Sequence, residues 1–330
     1  MELYDYKQYE DVVFFGDIHG EFKEFFHNLN EYLPNRFKEE LTPAEKEYKR
    51  EKRKQKKHKE EIMKRDASIY DKNSENIETT QQKKYGINCC INQHSIIFVC
   101  GDCGFGFNKE TYYIDLLKKY NEFLKKNDCI LLYVRGNHDD PAYFSEKKIN
   151  FSNMKTIPDY SFILTKDINI LCVGGGLSID RTWRENLEFR KNLHNTGKDK
   201  KKFYWEDELP IYDEKKIDEI IKEGYNIDCI VTHTAPSFVE EPETGIDEWI
   251  KTDKTIFDDM IKERTALDKL YSKLFQSKQL PKVWSYGHFH KDYKNIIGQT
   301  IYKCNNTQYK PTSYKELIKK YIGFDFYDLL

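Results

Sequence analysis

Short runs of aliphatic, β-branched and aromatic residues recur along the chain, separated by longer and more polar segments. Each run has the four to six residues of a buried strand, and this composition favours strand over helix. The predicted strands cover residues 12–15, 96–100, 130–134, 168–173, 229–232 and 283–286. We expect these strands to form the core of a sheet system.

Between these strands, apolar positions repeat at the three-to-four-residue spacing of an amphipathic helix. The predicted helices cover residues 21–32, 109–126, 214–223 and 257–275. Strands that alternate with helices predict an α/β architecture. Residues 292–304 alternate apolar and polar positions on either side of Gly298 and Gln299. That pattern predicts an antiparallel hairpin, and therefore mixed rather than purely parallel sheets.

A segment rich in Lys, Glu, Arg and Gln interrupts this pattern at residues 37–84. Its helix propensity is high but it has no apolar stripe, which predicts a solvated helical or partly disordered arm. We therefore predict a single domain over residues 1–330 with a charged helical insertion at about 37–88. A solvated face is the favoured interpretation of the insertion. The alternative is an arm that binds nucleic acid or a partner through its basic middle, residues 52–59.

Composition narrows the classes of protein further. The 330 residues include 54 Lys and Arg against 56 Asp and Glu, a net charge of −2. No overall field therefore draws the protein to nucleic acid or anionic lipid. No run approaches the roughly 18 apolar residues that cross a bilayer, and the start of the chain lacks the pattern of a secretory leader. We predict a cytoplasmic protein with no membrane partner.

The eight cysteines do not indicate disulfides, because several of them lie inside apolar, strand-like runs. Cys100 and Cys103 form a C-x-x-C pair that would suit zinc or redox chemistry. No second pair exists to complete a four-cysteine site. Buried reduced thiols are therefore the favoured interpretation.

Polar clusters directly follow five of the predicted strands. They read Gly16-Asp17-Ile18-His19, Gly101-Asp102-Cys103-Gly104, Gly136-Asn137-His138-Asp139, Thr232-His233 and Gly287-His288-Phe289-His290. Residues two apart on an extended chain point to the same side, so Asp17 can share a cavity with His19, and His288 with His290. Oxygen ligands mixed with imidazoles suit Mn²⁺, Fe or Zn²⁺. A lone His before a loop is more often structural, but five such clusters in this order predict a metal site.

The motifs GDIHG, GDCG, GNHDD, THTAP and GHFH resemble, in this order, the signature of the calcineurin-like metallophosphoesterase family. The resemblance runs from about residue 12 to residue 291, and the glycine-rich element at 174–181 is similar to one in bacterial and phage-type members. It implies two packed mixed β-sheets sandwiched between helices, a four-layer αββα fold. It also implies two divalent transition metal ions, with manganese favoured over iron or zinc.

The resemblance further implies a role for each motif residue. One ion would be held by Asp17, His19, Asp102 and His290, and the second by Asp102, Asn137, His233 and His288. Asp102 would bridge the two ions, and Asn137 would also contact the substrate. His138 stands where the family has a catalytic histidine that does not bind metal.

The second motif departs from the family's serine/threonine protein phosphatases, which continue it as GDxVDRG. This chain has GDCGFGF, so membership in that branch is not expected. The departure removes the carboxylate that orients the catalytic histidine there. Asp139 or Asp140 could orient His138, or either could cap the loop.

Three arginines are candidate substrate ligands, because a guanidinium can bind two phosphate oxygens at once. Arg135 precedes the third motif, and Arg181 and Arg184 follow the glycine-rich element. For Arg181, an ion pair with Asp180 that braces the loop is an equal alternative.

The sequence thus predicts metal-dependent hydrolysis of a phosphate ester, preferably a phosphomonoester on a small molecule or a protein. A hydroxide activated by the two ions would attack phosphorus in line, and His138 would protonate the leaving oxygen. The alternative is a phosphodiesterase or nuclease that acts on nucleotides or nucleic acid, which the basic insertion could bind. A third interpretation, a protein-binding scaffold, expects missing ligands, and none is missing from the motifs.

Overall fold

A computed structural model of the protein describes residues 1–36, 91–193, 200–239 and 246–322. The insertion predicted at about 37–88 lies outside the described residues, so its helical character and its partners stay predictions. The single-domain prediction for residues 1–330 likewise stays a prediction. Within the described ranges the chain forms two mixed β-sheets with helices packed against them.

The smaller sheet carries the first three polar clusters. Its five strands are β2 Asp11–Phe15, β3 Ser95–Val99, β4 Ile130–Tyr133, β5 Met154–Thr156 and β12 Thr312–Ser313. Across the sheet they are ordered β12-β2-β3-β4-β5. Strands β2 to β5 are parallel and β12 is antiparallel to β2. The carboxyl ends of β2, β3 and β4 therefore meet at one edge of the sheet.

The larger sheet carries the last two clusters. Its seven strands are ordered β1-β6-β7-β8-β9-β11-β10. The bounds are β1 Glu2–Asp5, β6 Ser161–Leu164, β7 Asn169–Val173, β8 Cys229–Thr232, β9 Val283–Tyr286, β10 Tyr293–Ile297 and β11 Thr300–Cys304. Strands β7, β8 and β9 run parallel, and β10 with β11 forms the antiparallel hairpin that residues 292–304 predict.

The two sheets share one hydrophobic core. Each strand near the centre has apolar residues on both faces, so one of its faces can pack against the other sheet. The side chains that meet between the sheets include Phe14, Phe98, Leu132, Ile170, Val231 and Val283, all buried. Burying such side chains contributes about 1.5–3 kcal/mol each, so this layer stabilises the pairing of the sheets.

The described ranges contain eight helices, several of which cover the outer faces of the sheets. The eight are α1 Phe22–Tyr32, α2 Glu110–Lys126, α3 Ala142–Ser145, α4 Arg181–Asn192, α5 Glu214–Lys222, α6 Ile246–Thr252, α7 Ile256–Gln276 and α8 Tyr314–Ile322. Phe25 of α1 packs edge-on against Phe15 of β2, with ring centroids 5.2 Å apart. On the larger sheet, α5 and α7 bury apolar residues such as Ile217 and Leu270. The four-layer arrangement that the resemblance implies is therefore confirmed.

Two further expectations concern the membrane and the thiols. Among the described residues, no helix is both long enough and apolar enough to cross a bilayer. The six cysteines in the described ranges are buried, as the strand-like runs predict. Cys103 donates from Sγ to the carbonyl of Val134 at 3.3 Å, so its thiol forms a hydrogen bond inside the core.

Candidate metal centre

The polar clusters occupy the loops that leave the carboxyl ends of β2, β3, β4, β8 and β9. Four of the seven predicted metal ligands have positive backbone φ angles, which residues other than glycine rarely adopt. They are His19 at 46°, Asp102 at 48°, His288 at 69° and His290 at 54°. Such strain persists only where surrounding structure imposes it, and it concentrates at functional sites.

Close backbone approach at Gly136 explains one of the motif glycines. A Cβ atom at this position would lie 2.1 Å from the backbone nitrogen of Asp102 and 2.2 Å from its Oδ1. No side chain fits there, so only glycine lets the third loop reach the carboxylate. The Asp102 carboxylate is thereby set between the loops that follow β3 and β4.

The first predicted ligand set is assembled as the motifs imply. Each of Asp17, His19, Asp102 and His290 offers one ligand atom, and these atoms all lie within 4.8 Å of one another. Nε2 of His290 is 3.1 Å from Oδ2 of Asp17 and 2.9 Å from Nε2 of His19. Nδ1 of His19 is 3.7 Å from Oδ2 of Asp102.

The second predicted set lies on the other side of the Asp102 carboxylate. Nε2 of His233 is 3.1 Å from Oδ1 of Asp102 and 2.8 Å from Oδ1 of Asn137. Nδ1 of His288 is 3.1 Å from the same Asn137 oxygen and 3.2 Å from Nε2 of His233. The two oxygens of Asp102 therefore face different predicted donor sets.

The second set fits a cation because several hydrogen-bond acceptor atoms lie close together there, with too few donor hydrogens between them. Nδ1 of His233 lies 2.8 Å from the carbonyl of Cys100, and it donates to that carbonyl. Nε2 of a neutral His233 ring is then an acceptor, and it faces the acceptor oxygens of Asn137 and Asp102. Either a proton or a metal ion must lie between such atoms. Mixed imidazole and oxygen donors are the ligands that transition metals prefer.

Electrostatics at this position also favour positive charge. Burial alone would lower the pKa of His233, but the carboxylates of Asp102 and Asp17 outweigh it and raise the pKa to about 10. Burial likewise opposes ionisation of Asp102, yet His138 and His233 hold its pKa well below the usual range. At His288, burial and the neighbouring His233 lower the pKa well below its ordinary value. A neutral His288 is ready to act as a ligand.

His138 lies at the edge of the centre rather than inside either donor set. Its Nε2 is 3.8 Å from Oδ2 of Asp102, and its backbone N–H donates to Oδ1 of Asp102 at 2.7 Å. Nη2 of Arg184 contacts the imidazole and is 2.8 Å from Nδ1. Burial and the charge of Arg184 lower the pKa of His138 to about 4, although Asp102 opposes them.

Neither acidic residue that follows His138 orients it. The buried carboxylate of Asp139 accepts backbone N–H groups, among them those of Gly104 at 2.7 Å and Gly136 at 2.8 Å. Burial and Asp102 raise the pKa of Asp139 to about 6. Asp140 accepts the N–H of Ala142 at 3.0 Å. Of the two open alternatives, loop capping is the one that the contacts support.

Arg135, one predicted substrate ligand, forms hydrogen bonds with other residues of the protein. Its side chain is 4% exposed. Nη2 donates to Oδ2 of Asp159 at 2.8 Å, and Nη1 donates to the carbonyl of Glu208 at 2.7 Å. A guanidinium with these partners braces the loops around the site, and a role in substrate binding stays a prediction.

The alternative of an ion pair between Arg181 and Asp180 is wrong, because Arg181 pairs with other carboxylates. Arg181 donates to Asp253 and Asp259, at 2.6 Å in each case, because α4 docks against the start of α7. Asp180 instead accepts from Nε of Arg184 at 2.7 Å. Arg184, through its contact with His138, is the predicted arginine that the structure brings to the centre.

Two polar residues near the centre were not predicted from the sequence motifs. Ser178 accepts from Nδ2 of Asn137 at 2.9 Å, and its hydroxyl donates to Oε2 of Glu208 at 2.6 Å. Both Ser178 and Glu208 are buried, and burial raises the pKa of Glu208 to about 8 although the Ser178 bonds oppose it. The amide of Asn137 is thus held with its oxygen toward the donor set. Ser178 lies in the glycine-rich element, but no sequence signal pairs it with Glu208.

A cavity of about 410 Å³ opens beside the centre. Its floor includes Asp102, Asn137, His138, His288 and His290. Its volume falls within the range of about 300–1,000 Å³ that is typical of small-molecule sites. Four of the seven predicted ligands, together with His138, therefore line a space that can hold a substrate.

Comparisons with known proteins agree with this geometry at the level of the family. A family model described as calcineurin-like phosphoesterase matches residues 11–292, and no curated protein matches. Among solved structures, the chain is similar to a Staphylococcus aureus protein assigned as a 5′-nucleotidase, crystallised with alpha-ketoglutarate. The identity is 12% and the TM-score 0.34, over 90% of this chain and 49% of that one. The chain spans about half the length of that structure.

The family match extends over most of the chain and includes all seven residues of the two donor sets. On that match, the chain belongs to the calcineurin-like phosphoesterase family.

Proposed function

We propose that the protein hydrolyses a phosphomonoester at a centre that holds two divalent transition metal ions. The observation that carries the proposal is the position of Asp102. Its Oδ1 is 3.1 Å from Nε2 of His233, while its Oδ2 is 3.7 Å from Nδ1 of His19. One carboxylate can thus be shared by two ions.

Asp17, His19, Asp102 and His290 would hold one ion, and Asp102, Asn137, His233 and His288 the other. Together the two sets mix hard oxygen donors with imidazole nitrogens, and this mixture supports manganese as the favoured metal, with iron or zinc as alternatives. When bound, such ions supply Lewis-acid activation of water and of the phosphoryl group.

In the net reaction, the oxygen of water bonds to phosphorus and the P–O bond to the leaving group breaks. A proton passes to the leaving oxygen, so the products are an alcohol and phosphate. His138 would donate that proton, and two observations support this role: it borders the cavity and it belongs to neither donor set. A phosphate dianion beside the ring would favour its protonated form. Arg184, which contacts the ring, would hold it in place.

The alternative substrate is a phosphodiester, in a nucleotide or a nucleic acid. A polynucleotide path requires cations that follow successive phosphates. Among the described residues that line the cavity, Lys291 is the one side chain with a fixed positive charge. This supports the monoester over the polymer.

The direct test is a substrate panel with purified protein and added Mn²⁺. It would compare p-nitrophenyl phosphate, bis-p-nitrophenyl phosphate and single-stranded DNA, with the Asp102→Ala variant as the control. We expect release of phosphate from the monoester and loss of that activity in the variant. Faster cleavage of the diester or the DNA would favour the alternative substrate, and no turnover of any ester would refute the proposed function.

A further inference from the structure

The cavity beside the metal centre has an apolar wall. The apolar side chains that line it are Leu177, Ile179, Ile246, Trp249 and Phe289. They come from three separate parts of the chain: the loop after β7, helix α6, and the loop between β9 and β10. Three segments that converge on one apolar surface, next to a cluster of charged ligands, build a site with two chemically different halves.

The wall is continuous with the metal centre. Phe289 lies between two predicted ligands, His288 and His290, and its ring centroid is 4.9 Å from that of His288. The guanidinium of Arg264 lies over the Phe289 ring, 5.0 Å from the centroid, and helps to fix the ring. A phosphoryl group on the predicted ligands would therefore place its leaving group against this wall.

Among the described residues that line the cavity, few outside the centre are charged. They are Asp180 and Lys291, and Asp180 already accepts from Arg184. A leaving group rich in hydroxyls would lose hydrogen bonds to water and regain few here. An apolar leaving group loses nothing comparable, because removing its surface from water is favourable.

We propose that this wall selects phosphomonoesters whose leaving group carries an aromatic ring, which packs against Trp249 and Phe289. The proposal rests on the phosphomonoester hydrolysis proposed above. Two aromatic side chains in one wall favour a planar ring over an aliphatic group of equal size, since ring pairs gain beyond the area they bury. The ring could belong to a small aryl compound, a nucleoside or a phosphotyrosine peptide.

The test compares esters whose leaving groups are equally poor. The set is 2-phenylethyl phosphate, 2-cyclohexylethyl phosphate, ethyl phosphate and glycerol 3-phosphate, each assayed with Mn²⁺. We expect kcat/KM for the phenylethyl ester to exceed that for the glycerol ester by at least about tenfold. It should exceed that for the cyclohexyl ester by about 2–10-fold.

Variants tie any such preference to the wall. Trp249→Ala should lower kcat/KM for the phenylethyl ester by about tenfold or more, and lower that for ethyl phosphate by clearly less, so that the ring preference shrinks. Trp249→Phe keeps a ring and should retain most of the preference. Trp183→Ala is the matched control, because Trp183 is 52% exposed on α4 and does not line the cavity.

The outcomes separate two failures. Equal kcat/KM for all four esters, or a ring preference that survives in Trp249→Ala, would overturn the aromatic wall and leave phosphomonoester hydrolysis standing. No hydrolysis of any ester would instead remove the proposed function itself. If the ring preference holds, a nucleoside 5′-monophosphate and a phosphotyrosine peptide identify its source, and faster turnover of either one supports the proposal.

Discussion

His138 lies near two opposing charges. Oδ2 of Asp102 is 3.8 Å from its Nε2, and the guanidinium of Arg184 also contacts the ring. Burial and Arg184 lower its pKa to about 4, so the ring is neutral near pH 7 before substrate arrives. Proton donation by His138 therefore depends on the negative charge that the phosphate itself brings.

Proton donation matters most when the leaving group is an alkoxide. His138→Ala should lower kcat on an alkyl phosphate by a factor on the order of 10² to 10⁴, and distinctly less on p-nitrophenyl phosphate. Steady-state kinetics on the two esters, together with metal analysis of the variant, measure this. Equal losses on both esters would argue that His138 binds phosphate, and loss of metal would make it a ligand.

Ser178 is predicted to position Asn137. Its Oγ accepts from the Asn137 amide at 2.9 Å while its own hydroxyl donates to Glu208. Ser178→Ala removes the acceptor that keeps the amide oxygen toward the donor set. We expect the affinity for the second metal ion to fall by about 10–100-fold, as measured by calorimetric titration with Mn²⁺. Unchanged affinity for both ions would show that Asn137 needs no such support.

At the scale of elements, one arginine ties α4 to the start of α7. Arg181 is 8% exposed and donates to Asp253, Asp259 and Thr255. The hydrogen bond from Arg181 lowers the pKa of Asp253. At Asp259, burial opposes the shift, but Lys262 and Arg181 still lower the pKa. Both carboxylates therefore stabilise the fold in their ionised form.

Because these two pKa values are depressed in the folded protein, their stabilisation is present above the unfolded value, near 4, and is lost as pH falls below it. Arg181→Met should lower the free energy of unfolding at pH 7 by about 1.5–3 kcal/mol. The difference from the unmodified protein should shrink as the pH is lowered from 5 towards 3.

Denaturant unfolding at pH 7, 5 and 3 measures the effect of Arg181→Met. Arg190→Met is a suitable control, since Arg190 is exposed near the end of the same helix. A loss of stability that is the same at all three pH values would show that packing, and not the ion pairs, makes the contribution.

Local pattern was enough to predict the elements that bear the site. The predicted strand at residues 130–134 is observed as Ile130–Tyr133, and the predicted helix at 257–275 as Ile256–Gln276. These segments are long or strongly apolar, so local preference and tertiary packing agree. Short edge strands such as Glu2–Asp5 and Thr312–Ser313 were not predicted, because pairing with a neighbour forms them and their own composition does not.

Contacts between distant segments were less predictable than the motif residues. Asp17 and His290 meet although 273 positions separate them, and this could be inferred because both stand in motifs at strand ends. The pairing of Arg181 with Asp253 and of Ser178 with Glu208 depends on how helices and loops dock. No spacing in the sequence reports such docking.

At the scale of the whole molecule, the net charge of −2 leaves any affinity for nucleic acid to a local segment. The basic stretch at residues 52–59 lies outside the described residues, so its role rests on sequence alone. If that segment binds nucleic acid, deleting residues 41–73 should weaken binding and flatten its salt dependence, since fewer counterions are released. Hydrolysis of a small ester should survive the deletion.

Electrophoretic mobility shifts at several salt concentrations, with the full chain as reference, test this prediction. Unchanged binding after the deletion would leave the solvated-arm interpretation. Loss of ester hydrolysis along with binding would instead show that the insertion supports the catalytic domain.

The central claim is a centre of two ions that share Asp102, and metal stoichiometry tests it most directly. Elemental analysis after dialysis against Mn²⁺ should find about two ions per chain, one for each donor set. His290→Ala should keep about one ion and Asp102→Ala fewer than one, because only Asp102 contributes to both sets. Asp140→Ala, in the same group of loops but outside both sets, should keep two. An Asp102→Ala protein that retains two ions and full activity would contradict the account.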